Sequence, residues 1–199
     1  MASPRRIASP NAKTRTVILD AAEQLMFEEG WAAVTGRRVA EKAGLGSQLV
    51  HYHFGTMDDL LRAVFQRQAE KGSTAHAEAL ESPQPLWALW RMIRDAPFSK
   101  WTIEVLALAN HRPQLAAELR HYAQAFRAEQ AEIVAAVLKK YDVDEQSVPP
   151  MAVAFLMTVI PPVLFMENQL DITAGHAEIV GLVERYLREV EGEPGTGAR

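Results

Sequence analysis

Two short segments of helical periodicity, separated by a glycine-containing turn at 44–46, constrain the fold of this chain most strongly. Before the turn, Val39 and Ala43 lie at positions i and i+4, one face of a helix. After the turn, Val50 and Phe54 repeat the same spacing. Two short helices joined by a tight turn form a helix-turn-helix, so the sequence predicts this motif over residues 36–54.

Helical periodicity continues on both sides of the motif, and no alternating, strand-like run competes with it. An apolar face from Ile18 to Met26 indicates a first helix after Lys13, and Thr56 suits the N-cap of a connecting helix. Further helices are expected at 86–96, 99–110, 113–140, 147–167 and 174–191. Pro161-Pro162 is expected to kink or end its helix. The predicted fold class is all-α.

The domain organisation follows from these patterns. We expect a flexible basic arm at 1–12, a three-helix helix-turn-helix domain at 13–55, a connecting helix at 56–81, a larger C-terminal helical domain at 82–192 and a disordered tail at 193–199. Residues 1–54 carry a net charge of +2 and residues 55–199 one of −6. A polyanion is therefore expected to bind at the N-terminal end.

Several classes of function are disfavoured by residue content. The chain has no cysteine, which excludes disulfides, thiolate metal sites and a cysteine nucleophile. His51 and His53 lie at i and i+2, about 200° apart around a helix, so they cannot share one metal ion. Neither a phosphate loop nor an acid–base constellation is found, and we predict a non-enzyme without metal or cofactor.

Membrane insertion and secretion are not expected either. The longest apolar stretch, 151–166, contains Thr158 and two prolines and is short for a membrane span. The N-terminus has arginines without the apolar core of a secretory signal. We predict a cytoplasmic protein.

The second helix of a helix-turn-helix lies in the major groove of DNA, with its N-terminal residues at the base edges. Here those residues are Ser47, Gln48 and Leu49. Glutamine pairs with adenine through two hydrogen bonds, serine donates or accepts, and leucine contacts a thymine methyl group. These three residues are the predicted base-reading set.

Phosphate contacts are predicted from the residues around this set. His51, Tyr52 and His53 follow on the same helix, and each can hydrogen-bond phosphate oxygen. Arg37 and Arg38 lie in the first turn of the preceding helix, where free backbone N–H groups also attract anions.

The segment ILDAAEQLMFEEGWAAVTGRRVAEKAGLGSQLVHYHFGTMDDLL resembles the N-terminal domain of the tetracycline-repressor (TetR) family of transcriptional regulators. The Ala21-Ala22 pair, Gly30, Thr35, Ala43-Gly44 and the Tyr52-His53-Phe54 run occur in the family's order and spacing. Carried over residue by residue, the resemblance implies DNA contacts at Thr35, Gly36, Arg37, Ser47, Gln48, Leu49, His51, Tyr52 and His53.

Two positions depart from the family pattern. The family usually has a tyrosine where this chain has His51, and a lysine where it has Met57 followed by two acids. The phosphate contact of that lysine is therefore in question. Compensating cations are expected from Arg5, Arg6, Lys13 and Arg15.

The resemblance implies an inducer pocket in the C-terminal domain for a small, apolar effector. Helical cores use the same residue types, but apolar cavities between helices also bind ligands. The candidate pocket residues are Trp87, Trp90, Trp101, Asn110, His121, Phe126, Met151, Phe155 and Phe165.

A homodimer through the last two predicted helices is expected from the resemblance and from their apolar surfaces. Residues 151–166 are apolar on nearly all sides, as in a helix buried on two faces. The resemblance implies a dimeric repressor that an effector releases from a palindromic DNA operator. The alternative is a helical small-molecule-binding protein whose DNA binding is weak or lost.

Overall fold

A computed structural model describes residues 10–195. Its described part contains nine α-helices and no strand, which confirms the predicted all-α class. A 3₁₀ turn at Trp31–Ala33 separates the first two helices. The helices are α1 Pro10–Glu29, α2 Gly36–Ala43, α3 Ser47–Phe54, α4 Met57–Glu81, α5 Pro85–Arg94, α6 Ala96–His111, α7 Pro113–Lys140, α8 Pro150–Asn168 and α9 His176–Glu191.

The chain divides into two compact units, Met1–Gln68 and Ala69–Arg199, with the boundary inside α4. In the first unit, apolar residues of α1 to α4 form a buried core. Its central side chains are Ile18, Met26, Val39, Val50 and Leu60. Arg67 of α4 also joins α1 through Asp20 and Glu23, at 2.8 and 2.5 Å. These contacts hold α2 and α3 on a rigid support.

The second unit is built around α5, α7 and α8. Its core contains residues of α5, α7, α8 and α9, among them Trp87, Trp90, Ile93, Val134, Val137, Leu138, Met157 and Leu187. α8 packs against α5, α6 and α7, whereas α9 packs on α5.

Several helix limits differ from the prediction. α1 begins at Pro10 rather than after a 1–12 arm, because proline suits the first position of a helix. α8 begins at Pro150 rather than at 147, because Asp144 forms a separate turn. Its carboxylate accepts from the Ser147 hydroxyl at 2.7 Å, which lowers the pKa of Asp144.

Pro161-Pro162 was predicted to kink or end the helix. The predicted end is wrong, because α8 continues to Asn168. Both prolines are buried, and the helix continues through them although each lacks a backbone N–H. The expectation that the apolar stretch is too short for a membrane also needs correction. By length and composition alone, the 19-residue α8 is able to span one. A single such helix is weak evidence, because core helices pass the same test.

The predicted tail at 193–199 is partly held in place. The Gln84 amide donates to the carbonyls of Glu191 and Glu193, at 3.1 and 2.8 Å. The backbone N–H of Gly195 donates to the Gln84 side chain at 2.7 Å. Residues 196–199 lie outside the described residues.

Candidate nucleic-acid interface

The backbone of the helix-turn-helix is determined by local caps. The Thr35 hydroxyl accepts from the Arg38 N–H at 3.4 Å and so caps α2. Gly44 ends α2 with a left-handed backbone (φ 66°, ψ 31°), a conformation that glycine adopts without a steric penalty. The Leu45 N–H then donates to the Ala40 carbonyl at 2.9 Å, and α3 starts two residues later.

The buried faces of α2 and α3 determine which side chains remain available. Val39, Val50 and Phe54 point into the core, so the opposite side of α3 faces outward. Ser47, Gln48, Leu49, His51 and Tyr52 are exposed, and His53 is half-buried. Leu49 and Tyr52 are 38% and 72% exposed, which leaves an outward contact surface on α3.

The two arginines predicted to contact phosphate have different surroundings. Arg37 is exposed and has no partner among residues 10–195. Arg38 donates to the Glu29 carboxylate at 2.6 Å. This hydrogen bond lowers the pKa of Glu29 and raises that of Arg38. The positive charge of Arg38 is therefore partly neutralised, whereas that of Arg37 is not.

His51 has a local role that sequence reasoning missed. Its Nδ1 lies 3.2 Å from the Gly55 carbonyl oxygen, to which a protonated Nδ1 donates. Its Nε2 lies beside Gly36, where an added Cβ would be 3.4 Å from Nε2 and 3.6 Å from the Met57 sulfur. His51 thus links the end of α3 to the start of α2. Only its neighbours in space reveal this role, so spacing along the chain carried no signal for it.

Arg15 holds the C-terminal end of α3. Its guanidinium donates to the His53 carbonyl at 3.2 Å and lies 4.1 Å from the centre of the Phe54 ring. The rings of Tyr52 and His53 meet edge to face at 5.2 Å. Of the expected compensating cations, Arg15 is thus engaged with α3, and Arg5 and Arg6 lie outside the described residues.

The acidic start of α4 has a structural explanation. The Asp59 carboxylate accepts from the N–H and the hydroxyl of Thr56, at 3.2 and 2.6 Å. The Thr56 hydroxyl accepts in turn from the Asp59 N–H at 3.1 Å. This reciprocal cap keeps the pKa of Asp59 below its ordinary value, chiefly through the Thr56 hydroxyl. Asp59 therefore stabilises the start of α4, in the segment where the family's lysine is absent.

The nine candidate pocket residues are in dissimilar environments. Trp87 and Trp90 are buried in the core, and Trp101, Phe126 and Phe165 are half-buried. Asn110, His121, Met151 and Phe155 are exposed. An open depression of about 500 Å³ in the described surface is lined by Arg91, Met92, Arg94 and Asp95, and by none of the nine.

Phe126 is the candidate with the most informative surroundings. Its ring lies 4.6 Å from that of His76 and 5.9 Å from that of Phe98. Next to it, Gln130 is 2% exposed. Sequence reasoning selected neither His76 nor Gln130. A signal existed, because Gln130 is a polar residue within the buried stripe of α7 that includes Val134 and Val137.

The described region has no candidate metal site. Residues 10–195 contain no group of three or more histidine, aspartate or glutamate side chains arranged to hold a metal ion.

The chain matches one family model. Residues 18–64 match the N-terminal model described as "Bacterial regulatory proteins, tetR family". This range contains α2 and α3, the C-terminal part of α1 and the N-terminal part of α4. No curated protein matches the chain in sequence.

Solved structures share the fold over most of the chain. GusR of Salmonella enterica superposes with a TM-score of 0.71 at 18% identity, covering 94% of this chain and 98% of GusR. A TetR transcription regulator from Haloarcula marismortui gives 0.66 at 19% identity, covering 89% and 98%. FadR from Bacillus subtilis in complex with stearoyl-CoA gives 0.56 at 15% identity, covering 90% and 99%. At these identities the likeness concerns the fold.

Proposed function

We propose that this chain, whose residues 18–64 match the N-terminal model of the tetR family of bacterial regulatory proteins, is a ligand-responsive, DNA-binding transcriptional repressor. We propose that it acts in the cytoplasm, has no catalytic activity and is released from a palindromic operator by a small molecule with an apolar body. The fold it shares with FadR, which was solved in complex with stearoyl-CoA, supports an apolar effector.

The observation that carries the proposal is the outward face of α3. Ser47, Gln48 and Leu49 are exposed at its N-terminal end, where a recognition helix presents side chains to base edges. Tyr52 is exposed further along α3, and the Arg37 guanidinium on α2 has no partner among the described residues. In this proposal the first three residues read bases, whereas Tyr52 and Arg37 contact phosphates.

A homodimer accounts for the exposed apolar side of α8. Its members lie at helical spacing and are 36–52% exposed: Met151, Phe155, Leu156, Val159, Val163 and Met166. Burial of such a surface against a second copy is favourable in water. α8 and α9 form the interface in this proposal, and two recognition helices then read a pseudo-palindrome.

The effector acts by selecting between two states of the dimer. It must bind the state released from DNA more tightly than the DNA-bound state, because a ligand with equal affinity for both shifts nothing. By linkage, operator DNA weakens effector binding by the same factor.

The test is binding to duplexes selected from a random DNA library by the purified protein, measured by fluorescence anisotropy at several salt concentrations. Gln48→Ala is expected to relax the base preference at one position of each half-site, by about 1–3 kcal/mol. Tyr52→Ala is expected to weaken binding to all sequences alike. Gln124→Ala, an exposed glutamine of α7, is the matched control and leaves binding unchanged.

A second candidate is a helical small-molecule-binding protein with weak or lost DNA binding. Two observations favour it: Glu29 partly neutralises Arg38, and Met57 replaces the family's lysine. If no duplex is enriched, and neither Gln48→Ala nor Tyr52→Ala changes residual binding, this second function replaces the first.

A further inference from the structure

His51 has one ring nitrogen that is engaged within the chain and one that is not. Its Nδ1 lies 3.2 Å from the Gly55 carbonyl oxygen, and a carbonyl oxygen can only accept a hydrogen bond. Nδ1 therefore carries a hydrogen. His51 is exposed, and its Nε2 has no hydrogen-bond partner among the described residues. Nε2 is thus the ring nitrogen left for contact with another molecule.

The Gly55 contact determines what Nε2 offers in the neutral ring. A neutral imidazole carries a single hydrogen, so a ring that donates from Nδ1 presents a lone pair at Nε2. The other neutral tautomer would place the Nδ1 lone pair against the Gly55 oxygen, with the two acceptors 3.2 Å apart. In the protonated ring both nitrogens donate, and the contact with Gly55 is kept. Only the protonated ring therefore combines this contact with a donor at Nε2.

Nε2 lies at the start of α2, on the proposed DNA-binding surface. A Cβ on Gly36 would be 3.4 Å from Nε2, and Arg37, which we propose to contact phosphate, follows Gly36 directly. Tyr52, the other proposed phosphate contact, is next to His51 in the sequence. A phosphate oxygen is a negatively charged acceptor, so it needs a donor opposite it. A neutral His51 with its lone pair at Nε2 would instead repel the phosphate.

We propose that His51 contacts the DNA backbone as an imidazolium, so that the chain takes up a proton at His51 when it binds an operator. This inference rests on the proposed DNA-binding function and specifies the protonation state of one phosphate contact. The negative phosphate favours the charged ring, and charge-assisted hydrogen bonds are stronger than neutral ones. Operator affinity then rises as the pH falls, because histidine gains its proton in the neutral to mildly acidic range.

The neighbouring segments carry charges of both signs. Gly36 and Met57, which lie side by side next to His51, are themselves uncharged. Cations near the ring act against its protonation, and carboxylates act in favour of it. The titratable and charged groups of the segments around the ring are Arg15 of α1, Arg37 and Arg38 of α2, Tyr52 and His53 of α3, and Asp58 and Asp59 of α4. Operator phosphate adds negative charge to this mixed set, and that addition is the change that DNA binding supplies.

The test measures the affinity of the full-length protein for duplexes selected from a random library, between about pH 6 and 8, where histidine changes its charge. Ionic strength is held constant, because phosphate contacts depend on salt. Wild-type affinity is expected to fall as the pH rises, by at most about tenfold per pH unit for each bound subunit, the limit for uptake of one proton. Calorimetry in buffers with different ionisation enthalpies should detect the same proton uptake.

Two amide substitutions separate the roles of the ring nitrogens. The asparagine amide is close in position to Nδ1, so His51→Asn keeps a donor for the Gly55 carbonyl and has none at Nε2. The glutamine amide reaches further, so His51→Gln presents a donor near the Nε2 position at every pH. We expect weak, pH-independent DNA binding by His51→Asn and tighter, pH-independent binding by His51→Gln. A purely structural role of the Gly55 contact predicts the opposite order of affinities.

His121→Asn, at an exposed position on α7, is the matched control and should keep the wild-type pH dependence. Melting temperatures without DNA establish that each variant is folded. The inference is overturned if wild-type affinity does not change with pH, or if His51→Asn binds as tightly as the wild type at the lowest pH. It is also overturned if His51→Asn keeps the wild-type pH dependence, which would assign the proton to another group such as His53.

The same measurements distinguish this inference from the function on which it rests. A duplex that is bound with the same affinity at every pH refutes the protonated contact alone. Absence of DNA binding by the folded wild type at every pH refutes the repressor function, and the protonated contact with it.

Discussion

Gly36 and Gly46 both lie beside the recognition helix, but their surroundings differ. A Cβ on Gly36 would lie 3.4 Å from His51 Nε2 and 3.6 Å from the Met57 sulfur. A Cβ on Gly46 would have no atom within 4 Å, and its φ of −71° suits any residue. A Cβ on Gly36 would therefore meet two side chains at ordinary van der Waals distances. A Cβ on Gly46 would enter open space, and in our proposal the glycine allows close approach to a DNA backbone.

Alanine at these two glycines is expected to separate folding from DNA binding. Gly46→Ala should change the free energy of unfolding by no more than about 1 kcal/mol, because restriction of the unfolded chain and the poorer N-cap propensity of alanine act in opposite directions. It should nevertheless weaken DNA binding. Gly36→Ala should be tolerated in folding, because its Cβ would meet His51 and Met57 at ordinary van der Waals distances. Urea unfolding and anisotropy titrations on the same samples measure the two quantities, and a Gly46→Ala variant with full DNA affinity would contradict the close-approach explanation.

Burial of His76 predicts a dependence of stability on pH. Its pKa is below the ordinary 6.5 in the folded state, so the unfolded chain binds more protons below that pH. The free energy of unfolding should therefore fall as the pH is lowered from 6.5 toward the folded pKa, and this contribution should be level above 6.5. Urea titrations between pH 5 and 8, values chosen to bracket 6.5, measure this effect. As the pH falls, the free energy of unfolding should decrease less for His76→Phe than for His121→Phe, a variant at an exposed position.

At the scale of single elements, α2 presents one free and one paired arginine. Arg37 has no partner among the described residues, whereas Arg38 is held by Glu29 of α1. Their positions in the sequence are adjacent, yet their electrostatic surroundings differ because α1 lies on one side of α2. The same effect operates at α5, whose first turn receives the Glu191 carboxylate of α9.

Neutralising the arginines of α2 should therefore have unequal effects. Arg37→Gln is expected to reduce the salt slope of DNA binding by about one unit, the effect of one lost phosphate contact. Arg38→Gln should have a smaller effect, because DNA binding by this arginine requires Glu29 to release it. Affinities between 50 and 200 mM salt, the range over which phosphate contacts dominate, provide the comparison. Equal salt slopes of DNA binding for Arg37→Gln and Arg38→Gln would refute the predicted difference between the two arginines.

The start of α5 is expected to depend on Glu191. Its carboxylate accepts from the N–H groups of Leu86 and Trp87, both at 3.0 Å, and no side chain of α5 itself caps this end. Glu191→Ala should lower the free energy of unfolding by about 1–2 kcal/mol, because these N–H groups lose their acceptor and the helix dipole loses a negative charge. Glu189→Ala, at an exposed position on α9, is the control in thermal or urea unfolding.

At the scale of the whole molecule, the apolar surface of α8 is the feature that a single chain does not explain. Of the apolar window of this helix, 22% is buried within the chain. Exposed apolar side chains recur along the helix from Met151 to Met166. A second copy covers it in our proposal, and dimerisation in turn determines how many recognition helices meet the DNA.

Leu156→Glu should break the dimer without unfolding the chain, because this side chain is 52% exposed in the single chain. Sedimentation equilibrium is expected to show monomers, and affinity for a palindromic duplex should fall toward that for a half-site. Leu106→Glu, at a position 60% exposed on α6, should remain dimeric. A dimeric Leu156→Glu protein would place the interface elsewhere.

The sequence alone determined the features that depend on near neighbours. The Thr35 cap, the Gly44 turn and the i, i+4 spacing of Val50 and Phe54 act within four residues, so the helix-turn-helix was predictable in its elements and limits. Contacts between distant segments were decided by tertiary structure: Arg38 with Glu29 across 9 positions, His76 with Gln130 across 54, and Leu86 with Glu191 across 105. Propensity and capping act through the local backbone, whereas ion pairs and buried polar networks form only where packing brings separate helices together.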